Sequence, residues 1–95
     1  MNYEIRFGKE FTKIFEKLQK RNKLQSEIIV KKIKEIKVNP EHFKPLSNEL
    51  KNYRRVHIDT SFVLVFKIEN NLIKIIDYDH HDNIYKKIDK WKKEE

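Results

Sequence analysis

The sequence predicts an α+β domain of element order β-α-α-β-β-β-α, an antiparallel sheet with a helical hairpin packed on one face. Three observations predict it. Apolar residues in the first half of the chain recur at helical spacing, those in the second half alternate as strands do, and turn-forming residues stand where the period changes. At 95 residues the chain has room for one core, so residues 1–95 are read as a single domain. A domain of this size buries about 60–65% of its unfolded surface, so nearly every apolar side chain is needed.

Tyr3, Ile5 and Phe7 alternate with Glu4 and Arg6, the pattern of a short strand. Phe11, Ile14, Phe15 and Leu18 then share one helical face over residues 9–21, and Asn22 breaks it. From Gln25, Ile29, Ile33 and Ile36 share a face flanked by Ile28 and Val30. This second helix stops at Val38, because Asn39-Pro40 disfavours helical backbone. So short a joint makes the two helices an antiparallel hairpin.

Residues 41–48 read as a loop holding Pro45, after which the period becomes two. Tyr53, Arg55 and His57 alternate with Arg54, Val56 and Ile58. Asp59-Thr60-Ser61 reads as a turn, and residues 62–66 (FVLVF) are apolar on both faces, as a central strand is. Glu69-Asn70-Asn71 is a hairpin turn, since Asn tolerates left-handed backbone. Leu72 to Tyr78 forms the next strand, and residues 83–93, with Ile84, Ile88 and Trp91, form a closing helix. No internal repeat is visible.

Composition narrows the function classes. Hydrophobic residues make up 38% and charged residues 39%, a small core under an ionic surface, while 12% aromatics argue against disorder. A single Gly excludes a P-loop and a dinucleotide fingerprint. Zero Cys removes disulfides, thiolate zinc sites and Cys nucleophiles. No apolar run reaches the roughly 18–20 residues of a bilayer span, and the start MNYEIRFGKE has no signal-peptide core, so a cytoplasmic, membrane-free protein is expected. The net charge of +7 favours a polyanionic partner, nucleic acid first. The competing explanation is a Lys- and Ile-rich proteome or a hot habitat.

Four histidines offer chemistry near neutral pH. His57 shares its strand face with Tyr53, Arg55 and Asp59. Val56 and Ile58 suit packing under the helices, which turns His57 to the uncovered face. The run Asp79-His80-His81-Asp82 follows the last strand. It lacks HExxH and H-x-H spacing, so no metal is expected, and Asp82 alternatively caps the closing helix. Metal-free RNA cleavage needs a base for the 2′-OH proton, an acid for the leaving 5′-oxygen, and cations for the charged transition state. His57, His81 and Tyr85, with Lys51, Arg54 and Arg55, supply each type.

Lys44-Pro45-Leu46, Tyr53-Arg54-Arg55-Val56-His57-Ile58, Phe62-Val63-Leu64-Val65-Phe66 and the terminal His81 and Tyr85 together resemble the RelE/ParE superfamily of type II toxin–antitoxin toxins, its YafQ-like branch most closely. The element order is also that family's order. The resemblance implies a RelE-like toxin that cleaves mRNA in the ribosomal A site without metal or other cofactor. It also implies a cognate RelB/DinJ-like antitoxin, in a toxin–antitoxin heterotetramer. His57 matches the histidine of the tyrosine-arginine strand, His81 the C-terminal histidine of YafQ-like toxins, and Tyr85 the C-terminal aromatic.

Three positions depart from the family pattern. The RelE central-strand arginine falls on Val63. The YafQ-like aspartate falls on Ser61, with Asp59 two residues earlier, and the histidine before the proline falls on Lys44, with His42 close by. The expected catalytic set is therefore His57, His81, Tyr85 and Asp59, with His80, His42 and Asp82 as further members. Lys44, Lys51, Arg54, Arg55 and Lys86 are the expected RNA contacts. Two rivals stand beside this reading: a ParE-like gyrase-inhibiting toxin, and a catalytically degenerate basic homologue that only binds RNA or antitoxin. Trp91 is expected either to join the first helix in an antitoxin-docking surface or to lie in the core.

Overall fold

In a computed structural model, described for residues 3–47, 50 and 52–94, β1 (Glu4–Phe7) leads into α1 (Lys9–Arg21) and α2 (Lys23–Val38). Then come β2 (Tyr53–Ile58), β3 (Phe62–Glu69) and β4 (Leu72–His80), followed by α3 (His81–Ile84) and α4 (Ile88–Glu94). Short 3-10 turns occupy Pro40–His42 and Tyr85–Lys87. The expected α+β order and the helical hairpin are present.

The sheet order is β1-β4-β3-β2. β2-β3-β4 is the antiparallel meander that the turn residues predict, with Asn70 left-handed at φ 55° in the second turn. β1 differs: it joins β4 in parallel, Ile5 opposite Ile73, because the helical hairpin returns the chain across the sheet before the meander begins. Gly8, between β1 and α1, donates its N–H to the Ile75 carbonyl at 2.8 Å, and a Cβ there would meet that oxygen at 3.1 Å. A side chain there would force the β4 backbone to give by a few tenths of an ångström.

Asn22 serves both helices. Its N–H closes α1 on Leu18, and its side-chain oxygen accepts the Gln25 N–H, so α2 starts two residues earlier than the apolar pattern suggests.

The main core lies between the hairpin and the sheet. Phe11, Ile29 and Ile36 pack on Val56, Ile58, Leu64, Phe66, Ile73 and Ile75. Tyr78 closes this layer with its hydroxyl on Gln25 Nε2 at 2.7 Å. A register shift between Val65 and Phe66 turns Ile76 to the opposite face, where Val63, Val65, Ile84, Tyr53 and Trp91 form a second, smaller cluster. Trp91 is 1% exposed and is therefore core, which removes it from any docking surface.

The second face also buries a charge. Asp77, fully inaccessible in β4, accepts hydrogen bonds from Trp91 Nε1 at 2.8 Å and from the Tyr78 N–H, and pairs with Lys87 at 3.2 Å. Lys87 reaches on to Asp79 at 2.9 Å. Burial alone would raise the Asp79 pKa, but the Lys87 ammonium, the His80 N–H and the Asn83 amide outweigh it and hold the carboxyl below its usual value. Lys87 is likewise opposed by burial yet raised by its two aspartates. Two aspartates two apart in a largely apolar strand, with Lys87 and Trp91 four apart on the following segment, are the sequence signal for this network.

Candidate active site

β2 is the outer strand of the sheet, and its free edge is partly covered by the preceding loop. The Arg55 N–H donates to the Lys44 carbonyl, the Leu46 N–H donates to the Tyr53 carbonyl, and Pro45 bridges Arg54. Arg54 stabilises this loop: its guanidinium donates to the carbonyls of Phe43 and Glu41. Both bonds come from one terminal nitrogen of Arg54, which ties the loop to β2.

Beyond the loop, an open cleft of about 370 Å³ lies along β2, lined by Lys32, His42, Lys44, Arg55 and His57. His57 is exposed there and His42 packs edge-on against Phe43. Lys32 enters from α2, a contribution that periodicity shows only as a polar helix position. Lys51 lies outside the described residues.

Arg55 connects the cleft to the C-terminal segment by donating to the Tyr85 hydroxyl. Tyr85 is 41% exposed and opens a 3-10 turn that also carries exposed Lys86. At the same end of the sheet, the His81 N–H donates to the Ser61 carbonyl at 2.8 Å, and its Nδ1 lies 3.1 Å from that oxygen. Ser61 immediately precedes β3, whose Val63 pairs with His57 on one side and with Asp79 on the other. His57 and His81 thus flank the start of β3 from opposite sides, their backbones roughly 10–12 Å apart by strand spacing.

Asp59 departs from its expected place. The β2 alternation ends at Ile58, and Asp59 adopts the left-handed conformation (φ 56°) of the turn. Its charge reaches the Tyr78 hydroxyl instead: burial pushes that hydroxyl up, and Asp59 and Asp79 add to the rise. Val63, where the RelE pattern has arginine, is 1% exposed within the second cluster.

The histidine pair at the junction of β4 and α3 has structural partners. The N-cap of α3 is His80, not Asp82: His80 Nδ1 accepts the Asp82 N–H at 3.2 Å, which starts the helix at residue 81 and ahead of the periodic pattern. The His80 ring is fixed edge-on to Phe62 and stacks on His81 with ring centres 4.6 Å apart. His81 Nε2 lies 3.1 Å from the Asp82 carboxylate.

A helical hairpin on one face of a four-stranded sheet, with an open cationic cleft along its β2 edge, defines a small basic α+β protein. The family model described as the ParE toxin of type II toxin–antitoxin system, parDE, matches residues 3–85, and the chain belongs to that family, within the RelE/ParE superfamily that its motifs resemble. A Methanocaldococcus jannaschii protein that carries the name RelE4 as a proposed toxin is 49% identical over 87 residues, covering 90% of this chain and 93% of that one. The toxin–antitoxin complex DinJ-YafQ of E. coli superposes with a TM-score of 0.74 at 19% identity, over 90% of this chain and 99% of the matched one. The YoeB dimer of Staphylococcus aureus gives 0.74 at 22% identity, over 85% and 99%. These two likenesses establish the fold. No described helix is long and apolar enough to cross a membrane.

Proposed function

We propose that this toxin is a ribosome-dependent, metal-independent mRNA endonuclease that arrests translation by cutting the message in the ribosomal A site. The observation that carries the reading is the cationic cleft itself: His57 stands among Lys32, Lys44 and Arg55, and Arg55 joins it through Tyr85 to the end of the sheet where His81 is held. In the reaction, one imidazole removes the 2′-OH proton and the 2′-oxygen bonds to phosphorus. The bond to the 5′-oxygen then breaks, and the other imidazole protonates that oxygen. The products are a 2′,3′-cyclic phosphate and a 5′-hydroxyl. Arg55, Lys32 and Lys44 offset the charge that builds on the phosphorane. The Ser61 carbonyl accepts from His81 Nδ1, which leaves Nε2 as the nitrogen that exchanges the proton.

The partner is a cognate antitoxin, as in the toxin–antitoxin complexes of YafQ, of YoeB and of the Mycobacterium tuberculosis RelBE2 pair. An acidic segment suits a chain of net charge +7. Heterotetrameric assembly and a cytoplasmic site of action complete the reading.

The test is induced expression in a bacterial host with primer extension on a translated message, for wild type and His57→Ala/His81→Ala. Cleavage within the reading frame that disappears in the double variant supports the nuclease. Cleavage that persists unchanged removes both histidines from the mechanism. A second reading is favoured by the matching family description, ParE: poisoning of DNA gyrase. Growth arrest with intact message and DNA damage would select it.

A further inference from the structure

The contact between His81 and Asp82 has an unusual balance of donors and acceptors. A backbone carbonyl only accepts, so the 3.1 Å approach of His81 Nδ1 to the Ser61 oxygen places a proton on Nδ1. In the neutral ring Nε2 then carries a bare lone pair. It faces Asp82 Oδ1, also an acceptor, at 3.1 Å. Two acceptors at that distance require a cation between them, either a proton or a metal ion.

The separation also suits a shared metal ion. With bonds of about 2.0–2.1 Å to imidazole nitrogen and carboxylate oxygen, the edge of a tetrahedral site is roughly 3.3 Å, close to the observed separation. An imidazole whose other nitrogen donates to a carbonyl is the arrangement that orients metal-ligating histidines. A third donor stands ready in His80, whose ring is already braced on Phe62 and His81. The donor atoms of His80, His81 and Asp82 all lie within 4.8 Å of one another, which brings a third ligand to the pair.

We propose that His80, His81 and Asp82 form a surface site for a borderline divalent cation of the zinc, nickel or copper type, and that occupancy switches the toxin off. Two imidazoles and one carboxylate suit those ions, whereas magnesium and calcium prefer oxygen ligands. The bound ion takes the lone pair of His81 Nε2, the nitrogen that the cleavage reaction uses. The binding claim stands independently of the nuclease reading, and only the inhibitory consequence rests on it.

Untagged protein is titrated calorimetrically with zinc chloride in a non-coordinating buffer, with magnesium chloride as the control. Saturable uptake of one zinc per chain is expected, with no magnesium heat. His81→Gln and Asp82→Asn each weaken it at least tenfold, and His80→Asn, which keeps a helix-capping acceptor, weakens it as well. His42→Gln and His57→Gln bind as wild type does, and thermal melts verify that every variant is folded. Absence of saturable zinc binding overturns the site. So does binding that survives both His81→Gln and Asp82→Asn, or binding lost with His42→Gln or His57→Gln. In the cleavage assay, zinc suppresses cutting and a chelator restores it. Cutting that is unaffected at saturating zinc overturns the switch. Zinc binding in a protein that never cuts RNA overturns the switch and the nuclease reading while leaving the site intact.

Discussion

Under the helical hairpin the sheet buries Phe11, Ile29, Ile36, Leu64 and Phe66 in a continuous apolar layer, where the main polar contact is Gln25 on the Tyr78 hydroxyl. The opposite face is covered toward one end, by the segment after β4 and by Leu46 and Leu50 ahead of β2. There Val63, Val65, Ile84 and Trp91 surround a fully buried Asp77 paired with Lys87. At its other end that face carries exposed His57 beside half-buried Arg55, which reaches the exposed Tyr85. The contrast separates two tasks. Area-driven burial on one face holds the fold, and the other spends its surface on charges that need water or a polyanion beside them.

The deepest test of this contrast is truncation on the hairpin face. Phe66→Ala removes a fully buried ring from the centre of the sheet and is expected to cost about 3–5 kcal/mol in urea unfolding. A loss below about 1 kcal/mol would mean that the hairpin layer is not where stability resides.

Next in size is Asp77→Ala, which leaves the Trp91 N–H and the Lys87 ammonium without their shared acceptor. Lys87 keeps Asp79 and some access to water, so about 2–4 kcal/mol is expected, less than for a fully enclosed ion pair. Asp77→Asn retains an acceptor for Trp91 and should cost less. Near-UV circular dichroism of the only Trp reports whether the closing segment has come away from the sheet.

Much of this contrast was legible in the sequence. The first helix at residues 9–21, the second to Val38, and the strands from Tyr53, Phe62 and Leu72 follow from period alone, because one-sided burial writes itself into spacing. So did the uncovered face of His57. What periodicity missed depends on partners distant in the chain. The parallel seat of β1, the bulge that turns Ile76 over, and the burial of Asp77 are set by tertiary contacts that leave no local period. In the site, the bonds from Arg54 to the Phe43 and Glu41 carbonyls were not legible, because charge composition does not show which backbone groups a guanidinium meets. Asp82 read as the cap of the closing helix in place of His80 because a histidine N-cap is not among the usual capping types.

The charged half of the contrast also sets a pH window. Asp79 has a lowered pKa in the folded state, so its contribution is complete above the unfolded value near 3.9 and is lost as pH falls through the folded one. Lys87 has a raised pKa, so its contribution is complete below about 10.4 and is lost as pH rises beyond the folded value. Stability is therefore expected to plateau between about pH 4 and pH 10 with respect to this pair. Lys87→Met should flatten the acid limb, because Asp79 then loses the ammonium that lowers its pKa. An acid limb unchanged by Lys87→Met would assign acid unfolding to other carboxylates.

The smallest expected effect on stability belongs to the residue with the largest expected effect on activity. His57 is exposed on the edge strand and lines the cleft with Lys32, Lys44 and Arg55. His57→Ala should leave the urea midpoint within about 0.5 kcal/mol of wild type, while the proposed cleavage falls by about 10²–10⁴-fold, the usual worth of a positioned acid or base. The two numbers must be measured on the same preparation, because toxicity alone cannot distinguish a lost imidazole from a lost fold. If stability falls along with cleavage, His57 belongs with the packed side of the comparison and the open face is structural there. If neither changes, His42, which lines the same cleft, is the imidazole to remove next. A fall in cleavage at constant stability is what separates the two faces, since it requires that the open end contribute to chemistry without contributing to the fold.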